Sequence, residues 1–165
     1  MVFTRFFPRW LFVAAVPLFV LVLTLSAFGG TKDDLSTGAM VYVSVYSNIY
    51  YGPRVRPFPL AATLSIRNTD PQFPITVESA DYYDSDGRKI RDFMEAPQVL
   101  KPLASTYFYV EEKDTRGGSG ANFIVRWSAK SGVNRPIIET VMTGVESGQG
   151  ISFVCPGKEI MEHRD

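Results

Sequence analysis

Three carboxylates crowd into the seven residues Asp81-Tyr82-Tyr83-Asp84-Ser85-Asp86-Gly87, and several oxygen ligands in one loop are what a calcium ion takes. The spacing argues against that use. An EF-hand loop built on this glycine needs an acidic or amide group where the chain has Tyr82 and a glutamate where it has Phe93. Asp86-Gly87 between two extended runs is instead a hairpin signal, because the turn needs positive φ and both residues tolerate it. The glycine-rich run Thr115-Arg116-Gly117-Gly118-Ser119-Gly120-Ala121-Asn122 could be mistaken for a phosphate cradle. Such loops lead into a helix whose N-terminal amides meet the phosphate, and the nucleotide-binding version carries a lysine. Here a strand pattern follows and the run itself holds no Gly-Lys pair, so it reads as a demanding inter-strand loop, with a partner-contact loop as the alternative.

Acid-base and nucleophilic chemistry find little support. Glu111, Glu112 and Asp114 stand close together, but neighbouring residues of a strand point to opposite faces, so Glu111 and Glu112 cannot share a substrate unless a bulge intervenes. The single histidine, His163, is the third residue from a charged end, and the single cysteine, Cys155, shares a period-two face with Ile151 and Phe153. That face makes Cys155 a small buried hydrophobe, with an intermolecular disulfide or a reactive thiol as the alternatives. No catalytic residue, metal or cofactor is expected. Tyrosine and arginine remain, the residue types enriched where proteins meet partners. Tyr42, Tyr46, Tyr107 and Tyr109 fall opposite the core residues of their strands, and Tyr50, Tyr51 and Phe58 frame a segment holding Arg54 and Arg56. The competing reading is that other loops of the same domain cover these rings.

The elements that position these residues are strands. Val41, Val43 and Val45 alternate with Tyr42, Ser44 and Tyr46, and Leu60, Ala62, Leu64 and Ile66 alternate with Ala61, Thr63, Ser65 and Arg67. Further runs cover 75–83, 89–93, 106–112, 123–128, 137–145 and 150–154, divided by turn signals such as the Asn68-Thr69-Asp70-Pro71 stretch. About eight short strands with no comparable helical period point to an all-β fold, an immunoglobulin-like antiparallel β-sandwich, with a small barrel as runner-up. With a single cysteine no internal disulfide can form, and packing must supply stability.

Ahead of this domain, residues Trp10 to Phe28 form nineteen consecutive positions without charge, with Pro17 in mid-run and Arg5 and Arg9 before it. At about 1.5 Å per residue the run reaches roughly 28 Å as a helix, which fits a bilayer. A secretory signal competes, but its apolar core is normally shorter, at about 7 to 15 residues. The basic residues before the span place the tail in the cytoplasm and the domain outside it, in the periplasm of a bacterial inner-membrane protein. The organisation read from sequence is therefore a tail over 1–9, a transmembrane helix over 10–28, a linker over 29–39, a sandwich over 40–156 and a charged tail over 157–165. After the span the chain carries 15 basic and 17 acidic residues, so no basic field for nucleic acid exists.

Taken together, Tyr50-Tyr51-Gly52, LAATLSIRNTD from Leu60, DYYDSDG from Asp81, PLAST from Pro102, GGSGANFIV from Gly117 and GQGISF from Gly148 resemble a bacterial envelope family catalogued only as a domain of unknown function. The resemblance implies an exported, membrane-tethered or secreted protein and brings no activity, cofactor or catalytic residue. Some relatives use a lipoprotein cysteine, and this chain departs from them in having only Cys155. The combined expectation is a single-pass, membrane-anchored extracytoplasmic sandwich. Its partners would be the bilayer, through the N-terminal helix, and a protein of a membrane complex in which it serves as an interaction module or accessory subunit. The alternative is a secreted periplasmic module for a ligand or glycan.

Overall fold

Val41, Val43 and Val45 are buried while Tyr42 and Ser44 between them are only half-covered, and this two-residue period repeats through most of the chain. The computed structural model describes residues 35–146 and 148–161. Its strands are β1 (Ser36–Ser44), β2 (Asn48–Tyr51), β3 (Arg56–Pro59), β4 (Ala61–Arg67), β5 (Ile75–Tyr83) and β6 (Lys89–Asp92), then β7 (Gln98–Leu100), β8 (Ser105–Val110), β9 (Asn122–Val133), β10 (Ile137–Glu146), β11 (Gln149–Pro156) and β12 (Lys158–Ile160). All pairings are antiparallel. One sheet runs β12-β1-β9-β5-β6 with β7 also on β5, a second runs β11-β10-β4-β8, and β2-β3 form a separate ribbon.

The two larger sheets face each other across one core. Val41, Val43, Ile75, Val77, Phe123 and Val125 enter it from the first sheet, and Ala62, Leu64, Ile66, Ile138 and Met142 from the second. β5 changes phase on the way. Its register with β9 shifts between Val77 and Ser79, so Ile75 and Val77 point inward before the bulge and Ala80 and Tyr82 after it. An alternation counted straight through β5 would have put Tyr82, which is fully enclosed, on the wrong face.

The structure moves two boundaries read from sequence. β1 starts at Ser36, inside the segment read as linker over 29–39, because its first residues pair along β9 despite their small side chains. Lys158–Ile160, read as part of a charged tail over 157–165, pair with Met40–Tyr42 as β12. The segment 10–28 with Trp10, Pro17 and Phe28 lies outside the described residues. Among the described residues no helix is long and apolar enough to cross a membrane. Cys155 does take the inward face with Phe153, but β11 borders its sheet, so the thiol is half-buried rather than enclosed. That partial burial pushes its pKa up.

At one end of the sandwich the Asn68-Thr69-Asp70-Pro71 stretch does more than turn the chain. Asp70, 4% exposed, accepts hydrogen bonds from the backbone N–H groups of Gln72 (2.9 Å), Phe73 (2.8 Å) and Asn134 (3.0 Å). The neighbouring Asn68 amide donates to the carbonyls of Phe73, Leu100 and Lys101. Two side chains thus join the β4–β5, β7–β8 and β9–β10 connections. The backbone donors favour the ionised Asp70 and hold its pKa below the usual carboxylate value. A lowered native pKa means that the stabilisation is complete above about pH 4 and fades as pH falls through the native value. Asp70→Asn, which presents an amide N–H₂ to those donors, is expected to lower Tm at neutral pH. In thermal melts across the acid range the gap to the parent should close below about pH 4, and a gap independent of pH would contradict this role.

Candidate functional site

At the opposite end the glycine-rich run forms a short 3-10 segment, Thr115–Gly120, kinked at Gly118 where φ is 73°. Its position is fixed by a serine on the neighbouring hairpin turn. The Ser85 hydroxyl donates to the Gly117 carbonyl at 2.9 Å and accepts from the Gly120 N–H at 2.9 Å. The Ser47 N–H donates to the Gly118 carbonyl and the Val45 N–H to the Ala121 carbonyl. Beneath the segment the buried Tyr82 Oη and Ser47 Oγ lie 2.9 Å apart, and burial pushes the Tyr82 phenol pKa up. The Asp81–Gly87 and Thr115–Asn122 motifs, separate in sequence, therefore lock together. Neither motif by itself marked Ser47 or Ser85.

The three carboxylates of the hairpin motif do not converge on a common point. Asp81 takes Lys89 Nζ at 3.0 Å and Arg126 Nη1 at 3.5 Å on the outer face of the sheet. Asp84 accepts from the N–H groups of Asp86 (2.9 Å) and Arg88 (2.8 Å), which fixes the turn itself, while Asp86 is exposed. Among the described residues no group of three or more His, Cys, Asp or Glu side chains is arranged to hold a metal ion.

The acidic run after β8 departs from the expectation of opposed faces. β8 stops at Val110, and a turn follows in which the Asp114 N–H donates to the Glu111 carbonyl at 2.9 Å. Glu111 and Glu112 therefore line the same concavity, about 650 Å³, with Pro59, Tyr109, Lys113 and Thr115. A second concavity of about 720 Å³ includes Arg91, Phe93, Tyr109, Val110, Asp114 and Arg116. Tyr109 borders both. The charges there are largely matched: Lys113 pairs with Glu111 at 2.6 Å, and Arg116 meets Asp114 through two parallel bonds that hold the Asp114 pKa down. Arg91 stacks on Phe93, 4.4 Å from the ring centre.

The tyrosines and arginines divide. Tyr50, Tyr51, Arg54 and Arg56 stand exposed on the β2–β3 ribbon, whose tip places Gly52 and Val55 at positive φ. Tyr51 packs edge-on against Phe58, 5.8 Å between ring centres, which anchors the ribbon. Tyr107 and Tyr109 point outward from β8, 71% and 51% exposed. Pro59, at the base of the ribbon, and Tyr109 line the same concavity, so these two groups are neighbours. Tyr42 and Tyr46, named with them from the sequence, are only partly exposed. Tyr42 is half-buried on β1, opposite Ile124 and Lys158, and Tyr46 packs edge-on against Phe153 at 5.7 Å.

The clamp yields a direct test. A Cβ on Gly117 would come within 2.0 Å of Tyr82 Oη, 2.7 Å of the Ala121 Cβ and 2.8 Å of Ser47 Oγ. Gly117→Ala is expected to cost roughly 1–3 kcal/mol by overpacking, while Gly148→Ala, on an open turn with nothing within 4 Å, strains only its own positive φ. Urea denaturation of the two variants measures the difference, and equal losses would show that the close approach does not matter.

A comparison with curated proteins finds no match. Among solved structures, the crystal structure of Thermotoga maritima 1070 aligns over 74% of this chain and 93% of its own, with a TM-score of 0.44 and 9% identity, a likeness too slight to bear on fold or function. The model of the family described as "Protein of unknown function (DUF3124)" matches residues 38–160, a span that takes in the strands from β1 to β12, the serine clamp and the aromatic ribbon. The chain therefore belongs to the DUF3124 family of proteins of unknown function.

Proposed function

We propose that this domain is a protein-interaction module, held outside the bacterial inner membrane by the apolar segment 10–28 and serving as an accessory subunit of a membrane complex. In this reading the domain is an immunoglobulin-like sandwich whose loop end meets the partner. The observation that carries the reading is the β2–β3 ribbon, which presents Tyr50 (57% exposed), Tyr51 and Val55 (65% exposed) together with Arg54 and Arg56. Exposed aromatic, aliphatic and arginine side chains on one small projection have the composition of an interface hot spot. Phe58 at its base is buried, which anchors the ribbon to the core.

A second reading draws on the concavities beside Tyr109, where an aromatic ring, two glutamates and a lysine converge. A small polar ligand or glycan bound there would make the protein a periplasmic binding module.

Extraction of the native protein in mild detergent, followed by affinity purification and intact-mass spectrometry, separates the two readings. The interaction reading expects a full-length mass with a stoichiometric companion, and Tyr51→Ala/Arg54→Ala is expected to weaken companion recovery at least tenfold, the effect of about 1.4 kcal/mol. A mass starting near Gly30 with no companion would overturn it and favour the ligand module.

A further inference from the structure

The end that Asp70 and Asn68 seal on the inside carries bare apolar side chains on the outside. Phe73 (45% exposed) stands on the β4–β5 connection, Leu103 (69%) on the β7–β8 connection and Ile137 (49%) at the first position of β10. Asp70 holds these connections together. Its carboxylate accepts from the Phe73 and Asn134 N–H groups, and its backbone carbonyl accepts from the Leu103 N–H at 3.2 Å. Leu35, 61% exposed, reaches the same end beside Gly132, since Ser36 pairs with Val133. None of these four apolar side chains is part of the core.

Leu103 is held there against its own backbone preference. The Ala104 N–H donates to the Lys101 carbonyl at 3.0 Å, closing a turn with Pro102 second and Leu103 third, where φ is 59°. Positive φ at that third position favours glycine or asparagine, and a bulky side chain occupies it only with strain. A large apolar group is thus presented to solvent where a smaller or polar residue would make the turn more easily. Little charge opposes an apolar environment here. Asp70 is buried and Arg135 pairs with Glu159, while Arg67 and Lys101 are exposed with no ion pair among the described residues.

We propose that this end is a membrane seat, with Leu103, Phe73 and Leu35 entering the headgroup region of the bilayer that segment 10–28 spans. The seat rests on the anchored reading of that segment and adds what it leaves open, the orientation of the domain. Reach selects the occupant. Only residues 29–34 lie between Phe28 and Leu35, and at about 3.6 Å per residue that path spans no more than about 25 Å. So short a tether keeps this end at high effective concentration beside the bilayer, and a weak attraction suffices. Leucine and phenylalanine side chains enter the headgroup boundary, while the stems of Lys101 and Arg67 lie along it with their charges among the phosphates. Lys32, Asp33 and Asp34 on the tether leave the local charge close to balanced, so apolar burial carries the attraction. The β2–β3 ribbon follows the far end of β1, from Ser36 to Ser44 about 26 Å away. Seated in this way, the domain turns the ribbon away from the membrane and leaves it free for a companion.

Fluorescence depth quenching tests the seat on the full-length chain reconstituted in phosphatidylethanolamine–phosphatidylglycerol vesicles, with Cys155→Ser removing the native thiol. Leu103→Cys and Val55→Cys each receive an environment-sensitive dye, and a spin label on the lipid headgroup is the quencher. In chain that floats with the vesicles, the dye at position 103 is expected to be quenched severalfold more strongly than the dye at position 55 on the ribbon tip. Adding Leu35→Ser/Phe73→Ser is expected to bring quenching at position 103 down toward the ribbon value with Tm retained. Equal quenching at the two positions, stronger quenching at position 55, or no response to Leu35→Ser/Phe73→Ser would overturn the seat while leaving the anchor intact. A chain that does not float would overturn the anchor and the seat together.

Discussion

A missing side chain at Gly117 governs how one end of this sandwich is built. The space that a Cβ would occupy there is already taken by the Tyr82 hydroxyl at 2.0 Å, so the backbone can descend onto the core only as glycine. That approach lets the Gly117 carbonyl reach Ser85 and the Gly118 carbonyl reach Ser47. Ser47 in turn accepts from the Leu60 N–H, which fixes both ends of the segment containing the aromatic ribbon. The exposed tyrosines of β2 and the acidic turn after β8 are therefore placed by the same contact that closes the core. A buried phenol with a hydroxyl partner costs little there, because its polar atom is satisfied.

The two ends of the molecule use polar groups for different purposes. At the Asp70 end, a carboxylate and an amide are withdrawn from water and saturated by backbone partners, so their hydrogen-bonding capacity is spent on joining three connections. At the ribbon end, the charged side chains of Arg54, Arg56 and Glu112 stay exposed, and the acidic turn is held by exposed ion pairs that contribute little to stability. Rigidity is concentrated where the chain is sealed, and unsatisfied chemistry is concentrated where it is open. That division is why the ribbon end, and not the Asp70 end, is the candidate site.

Much of the sheet structure was legible because alternation survives wherever a strand has one core face. β4, β5, β8 and β10 fall within a residue or two of the runs read from sequence. β3 was hidden by its prolines, which count against a central strand but are tolerated in a two-stranded ribbon with a free edge. β7 and β12 were too short to show a period, and β12 exists only because β1 offers it a border. The bulge in β5 reverses the phase of the pattern at a point no residue type announces. Of the contact residues, Tyr107 and Tyr109 were readable as exposed from phase alone. Tyr46 was not, since it follows the end of β1 and its ring turns toward Phe153 of a strand distant in sequence. The joining of Ser85 to Gly117 is a tertiary contact between segments 32 residues apart, which local patterning cannot encode.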